Sequence, residues 1–157
     1  MNRRVVIGFV ILVAAGILTT VQGSFSAPAP DQPVRKVIKL SNGPVQAPFS
    51  DGILTGNTLY LAGRIGVDPK TGKVPEKIED EVKFLLDGEK EVLAQAGMTM
   101  DDLVYVQVSC SDLSLFSQFN GIYKTYFTKD YPSREFIGAG SLLIGGHFEL
   151  QAIAVRH

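Results

Sequence analysis

The chain has 157 residues, with 15 Lys+Arg against 16 Asp+Glu, two His, one Cys and no Trp. That length makes one compact domain, and a formal net charge of −1 leaves no cationic surplus for a general nucleic-acid or anionic-membrane binder. One cysteine cannot close an intramolecular disulfide, and two histidines, one of them C-terminal, cannot build a His/Cys zinc cluster.

Arg3 and Arg4 precede an uncharged apolar run from Val5 to Val21. A positive start followed by such a run is an export address, although the run also approaches the ~20 residues that a membrane-spanning helix needs. Ser24-Phe25-Ser26-Ala27 offers small residues for cleavage after Ser26. Residues 1–26 are therefore read as a signal peptide or an uncleaved N-terminal anchor, and the location as exported, periplasmic or secreted. Membrane association is expected only if the segment stays attached. No Cys follows the run, which excludes a lipoprotein anchor. Residues 27–33, with Pro28, Pro30 and Pro33, read as an extended linker. Residues 34–157 remain as the folded domain.

Val34 to Leu40 alternates apolar and basic residues, as a half-buried strand does, and Ser41-Asn42-Gly43-Pro44 stops it. Thr58 to Gly63 is a second strand. Asp68-Pro69-Lys70-Thr71-Gly72 has turn chemistry and is expected to join two short extended pieces as a hairpin arm. A helix follows. Pro75 sits near its start, Glu76, Glu79, Asp80 and Glu81 favour its N-terminal dipole, and Gly97 fits the position just past its end. Ile78, Val82, Leu85, Leu86, Val92, Leu93 and Ala96 draw its buried stripe, whereas Gly88 inside it costs ~1 kcal/mol against Ala.

Leu103 to Cys110 is rich in β-branched residues and reads as a central strand. Asp112 is the expected cap of a second helix over Leu113 to Phe127, with Phe116, Phe119, Tyr123 and Phe127 on its buried face and Asn120 among them. Ser133 to Ile137 and Phe148 to Val155 complete the strands, joined by a Gly-rich connection. Two helices among these strands predict an α+β layer with both helices on one face of a mixed sheet. The other face has no helix left to cover it, so it must be polar or pair with another subunit, and the apolar strands favour an oligomer.

Phosphate-loop, dinucleotide, G-x-S-x-G and H-E-x-x-H motifs are all absent from the sequence. Cys110, without a nearby His in sequence, reads as a small buried residue, and His147 as incidental to its turn. What remains is Asn120, Arg134 and Glu149. Arg134 shares a strand face with Phe136, and Glu149 with Gln151 and Ile153. If their strands are adjacent, the two charges come within reach, as a structural salt bridge or as a guanidinium fork for a planar carboxylate ligand with Glu149 handling water or a proton.

Ala47-Pro48-Phe49-Ser50, Leu61-Ala62-Gly63-Arg64-Ile65, Asp68 to Gly72, Phe119-Asn120-Gly121-Ile122-Tyr123, Pro132-Ser133-Arg134 and Phe148 to Val155 together resemble the RidA/YjgF family of small imine deaminases, in order and spacing. The resemblance implies a chorismate-mutase-like α+β fold, a homotrimer whose sheets form a central barrel, and a ligand cleft at each subunit interface. It implies hydrolysis of 2-aminoacrylate-type enamine and imine acids to 2-keto acids and ammonia, with no metal or cofactor. Arg134 matches the carboxylate-binding arginine, Glu149 the glutamate that positions water, Asn120 a cleft-supporting residue and Gly63 the glycine bordering the pocket. Phe49 stands at a substrate-binding position where many relatives have tyrosine. Ala62 replaces a usual serine, Arg64 a glutamine and Phe136 a cysteine, so the pocket is expected to be more apolar with an added charge nearby. Those changes keep a second reading open: a non-catalytic trimer that binds a small carboxylate or a protein partner.

Overall fold

A computed structural model describes residues 34–40 and 48–157. The expected signal peptide or anchor over residues 1–26, the Pro-rich linker and the Ser41–Pro44 stop lie outside the described residues. Six strands form one open mixed sheet: β1 (Arg35–Ile38), β2 (Gly52–Thr55), β3 (Thr58–Ile65), β4 (Leu103–Cys110), β5 (Ser133–Gly138) and β6 (Phe148–Val155). Their order is β1-β2-β3-β6-β4-β5, antiparallel except for the parallel β4–β5 pair at one edge. Two helices, α1 (Ile78–Gln95) and α2 (Phe116–Tyr123), pack on the sheet, giving the expected α+β architecture.

Period-two alternation explains why β6 and β4 work as central strands. Phe148, Leu150, Ala152 and Ala154 of β6 and Val106, Val108 and Cys110 of β4 are buried against the helices. The intervening Glu149, Gln151, Ile153, Gln107 and Ser109 face the other way. α1 supplies Val82, Leu85, Leu86, Val92 and Leu93, each fully buried. Each such side chain contributes ~1.5–3 kcal/mol by leaving water. Gly97, at φ +69°, ends α1: its N–H donates to Ala94 O and that of Met98 to Leu93 O, the reciprocal pair that satisfies otherwise orphaned carbonyls.

The open face carries an apolar stripe among polar residues. Ile53, Tyr60, Ile153 and Tyr105 lie in register across β2, β3, β6 and β4, and Tyr60 is 49% exposed. Among the described residues no helix is long and apolar enough to cross a membrane.

Two expectations need correction. Asp68–Gly72 does form a tight turn, in which Asp68 O accepts from Gly72 N at 2.8 Å, but no strand flanks it. The hairpin partner of β3 is instead β2, across Gly56-Asn57. The second helix is not continuous from Leu113 to Phe127. A 3-10 turn over Leu113–Leu115, capped by the Asp112 carboxylate on Ser114 N at 2.9 Å, leads into the eight residues of α2, and Lys124–Tyr126 is again 3-10. Phe119 and Tyr123 are buried, whereas Phe116 is 44% exposed.

Candidate active site

The sheet divides the sequence-derived residues into two groups. Arg134 lies on β5 opposite Val106, and Phe136 opposite Val108, so both face the helices. Glu149 lies on β6, paired with Ser109 of β4 and Ile65 of β3, on the open face. β5 and β6 are not neighbours, because β4 runs between them. The expected approach of Arg134 to Glu149 within one chain does not occur. A salt bridge between them within the chain is thereby excluded as well.

Arg134 is half-buried in a box of aromatic rings at the edge of the sheet. Its guanidinium carbon is 4.7 Å from the ring centre of Tyr123, 5.6 Å from Phe136 and 5.9 Å from Phe116, within the range of cation–π attraction. It forms no ion pair with any described acid. Asn120 stands on α2 four residues after Phe116 and three before Tyr123, hence on the helix face that meets Arg134, and is half-buried. Burial pushes the Tyr123 phenol up to about 12, with the Arg134 charge pulling the other way.

The second group lines a cleft of about 720 Å³ that includes Phe49, Ala62, Gly63, Arg64, Ile144 and Glu149. A β-bulge between Leu61 and Arg64 shapes it: one extra residue in β3 lets Leu61 and Arg64 both point toward the helix side although they are three apart. Gly63 faces the open side, where a Cβ would run into the Glu149 carboxylate. The glycine therefore makes room for that carboxylate, which lies against bare backbone. Phe49, 52% exposed, sits at the rim.

Sequence reasoning did not place Arg64. Its Nη2 donates to Asp51 Oδ1 at 2.8 Å and its Nε stands 3.4 Å from Glu89 Oε1. Asp51 in turn accepts from Leu40 N at 2.9 Å. Glu89 is 1% exposed and neither of its oxygens has a hydrogen-bond partner. Burial pushes its carboxyl up to about 8, against the pull of Arg64. Gly88 now has a reason, since a Cβ there would stand 2.6 Å from Arg64 Cδ. The only legible sign was a glycine inside a helix.

His147 is not incidental either. Glu81, fully buried on α1, accepts from His147 N at 2.7 Å and Phe148 N at 3.1 Å, and meets His147 Nδ1 at 2.7 Å. This carboxylate anchors the start of β6 and so fixes the position of Glu149. Cys110 is buried, its Sγ 3.0 Å from Asp112 O, and burial raises its thiol above the ordinary value. Among the described residues no group of three or more His, Cys, Asp or Glu could hold a metal ion.

With this geometry in place, comparison with known proteins decides the lineage. The family model described as endoribonuclease L-PSP matches residues 41–156. The chain belongs to this family, the RidA/YjgF group. It is 35% identical over 125 residues to the 2-iminobutanoate/2-iminopropanoate deaminase of Bos taurus, covering 78% of this chain and 91% of the relative. The YjgF gene product of E. coli is 32% identical with a TM-score of 0.73, covering 78% of this chain and 99% of that one. RidA from the Antarctic bacterium Psychrobacter is 27% identical with a TM-score of 0.72, covering 77% and 99%. The RidA/YjgF fold is thus established for this sheet and its two helices.

Proposed function

We propose that this RidA/YjgF member hydrolyses small 2-imino acids and their enamine tautomers of the 2-aminoacrylate type to 2-keto acids and ammonia, at a site completed by two copies of the chain. The observation that carries this reading is the isolation of Arg134: a half-buried guanidinium among aromatic rings, without an acid partner among the described residues. A cation so placed is set up for an external carboxylate, which its paired N–H donors match. Glu149 cannot reach it within the chain, so the cleft around Glu149 in one copy would receive the Arg134 edge of the next. The uncovered apolar stripe with Tyr60 supports such assembly, as a homotrimer with the open faces turned inward.

The chemistry asks little of the protein. Water adds to the imine carbon, the C=N electrons pass to nitrogen, which takes a proton, and collapse of the carbinolamine expels ammonia and leaves the keto acid. Arg134 holds the carboxylate, Asn120 supports that side of the cleft, Glu149 orients the water, and the Gly63 backbone and Phe49 bound the pocket. No metal or cofactor enters these steps.

The test supplies freshly generated 2-iminopropanoate to the purified protein and follows its decay. Faster decay than in buffer supports the reading. Decay at the buffer rate, with pyruvate still bound by the parent and lost in Arg134→Ala, establishes the non-catalytic binder instead. Export of the chain through residues 1–26 is a separate part of the proposal, checked by whether protein isolated from its source begins at Ala27.

A further inference from the structure

Tyr123 is the nearest of the three rings around Arg134, at 4.7 Å against 5.6 Å and 5.9 Å. It is also the best anchored. Phe119, fully buried, stacks on it at 5.6 Å with an interplanar angle of 25°, and Phe127 packs at 4.8 Å. The ring cannot swing away without opening the core. Its buried hydroxyl makes no hydrogen bond of good geometry, although the Arg134 guanidinium lies near enough to pull on its proton. The ring is thus held fixed beside a guanidinium that no described acid holds.

Such a guanidinium has freedom to lose when a ligand arrives, and a flat, fixed, electron-rich surface removes part of that loss in advance. We propose that Tyr123 is a positioning residue for Arg134, its ring being the platform that sets the plane of the guanidinium fork before the ligand carboxylate binds. This rests on the reading of Arg134 as the carboxylate clamp. Phe116 and Phe136 close the flanks, while Tyr123 acts through Arg134 without touching the reacting atoms. Because the platform serves ground state and transition state alike, its loss belongs in KM rather than kcat.

The test replaces Tyr123 in the full chain by phenylalanine and by its 4-fluoro, 3,5-difluoro and 3,4,5-trifluoro forms. Ring shape is nearly constant along the series while each fluorine drains negative charge from the ring face. Each protein is titrated with pyruvate and assayed with 2-iminopropanoate, and its thermal midpoint is recorded. The expected result is a Kd that climbs with each fluorine, about tenfold from phenylalanine to the trifluoro form, with KM following, kcat within about twofold and the thermal midpoint unchanged. A purely structural ring would not produce that trend. A flat Kd, with pyruvate binding lost in Arg134→Ala, overturns the positioning role and leaves the clamp standing. An Arg134→Ala protein that binds pyruvate like the parent overturns the clamp and this inference together.

Discussion

Arg134 and Glu149 lie on opposite faces of the same sheet, with β4 between their strands. Under the proposed function, one copy carries the carboxylate clamp at its β5 edge and the water-orienting carboxylate in a separate cleft, and assembly is needed to join the two.

Removing the clamp should be severe. Arg134→Ala should lower kcat/KM by the equivalent of ~2–5 kcal/mol, the range for losing one partner of a desolvated charge pair. Arg134→Lys should fold normally and raise KM, because an ammonium offers no parallel donors to a carboxylate. Steady-state kinetics with circular dichroism as the folding control checks both.

The buried Glu89 predicts a pH dependence of stability. Its folded-state value, near 8, lies above the ordinary 4.5 because burial opposes ionisation more than Arg64 favours it. Between those values the folded chain holds a proton that the unfolded chain releases, so this group's stabilising effect is full below pH 4.5 and is lost as pH rises through about 8. Glu89→Gln should gain stability over the parent as pH is raised from 5 to 9. Thermal midpoints across that range would show it.

Gly88 and Arg64 should be energetically coupled. In an ordinary helix Gly→Ala gains ~1 kcal/mol. Here Gly88→Ala should destabilise, because the new methyl displaces the Arg64 side chain. In an Arg64→Ala background the same change should recover its helical gain. Urea unfolding of the two single variants, the double variant and the parent measures the coupling.

Glu81 holds three donors at the entry to β6, two backbone N–H groups and the His147 ring. Glu81→Ala should cost ~3–5 kcal/mol, since it strands buried donors. Its effect on Glu149 should appear as a kcat loss in whatever protein still folds. His147→Ala, which keeps both backbone bonds, should cost ~1–2 kcal/mol on the same unfolding scale.

Where local chemistry settles the structure, the sequence was readable. The alternation in Leu103–Cys110 and Phe148–Val155, the stripe of α1 and the αL glycine at its end all correspond to what folds. β2 was missed because Gly52-Ile53-Leu54-Thr55 is four residues long and begins with glycine, while the stronger turn signal at Asp68–Gly72 drew the hairpin to the wrong place. The face of Arg64 and the distance of Glu149 from Arg134 depend on non-local facts. One extra residue in β3 turns Arg64 toward α1, and the insertion of β6 between β3 and β4 separates Glu149 from β5. Neither is written in periodicity. The aromatic box around Arg134 was half visible, since Phe116 and Tyr123 were recognised as one helix face, but the strand that brings the arginine against them could be placed only by the fold.

The most direct check of the composite site is subunit complementation. Arg134→Ala and Glu149→Gln chains, each inactive alone, are co-assembled in equal amounts and assayed for 2-iminopropanoate hydrolysis. A site shared between copies predicts recovery to about a quarter of parental activity, because random assembly reunites an intact Arg134 with an intact Glu149 at that fraction of interfaces. Mixed oligomers as inactive as their parents would contradict it.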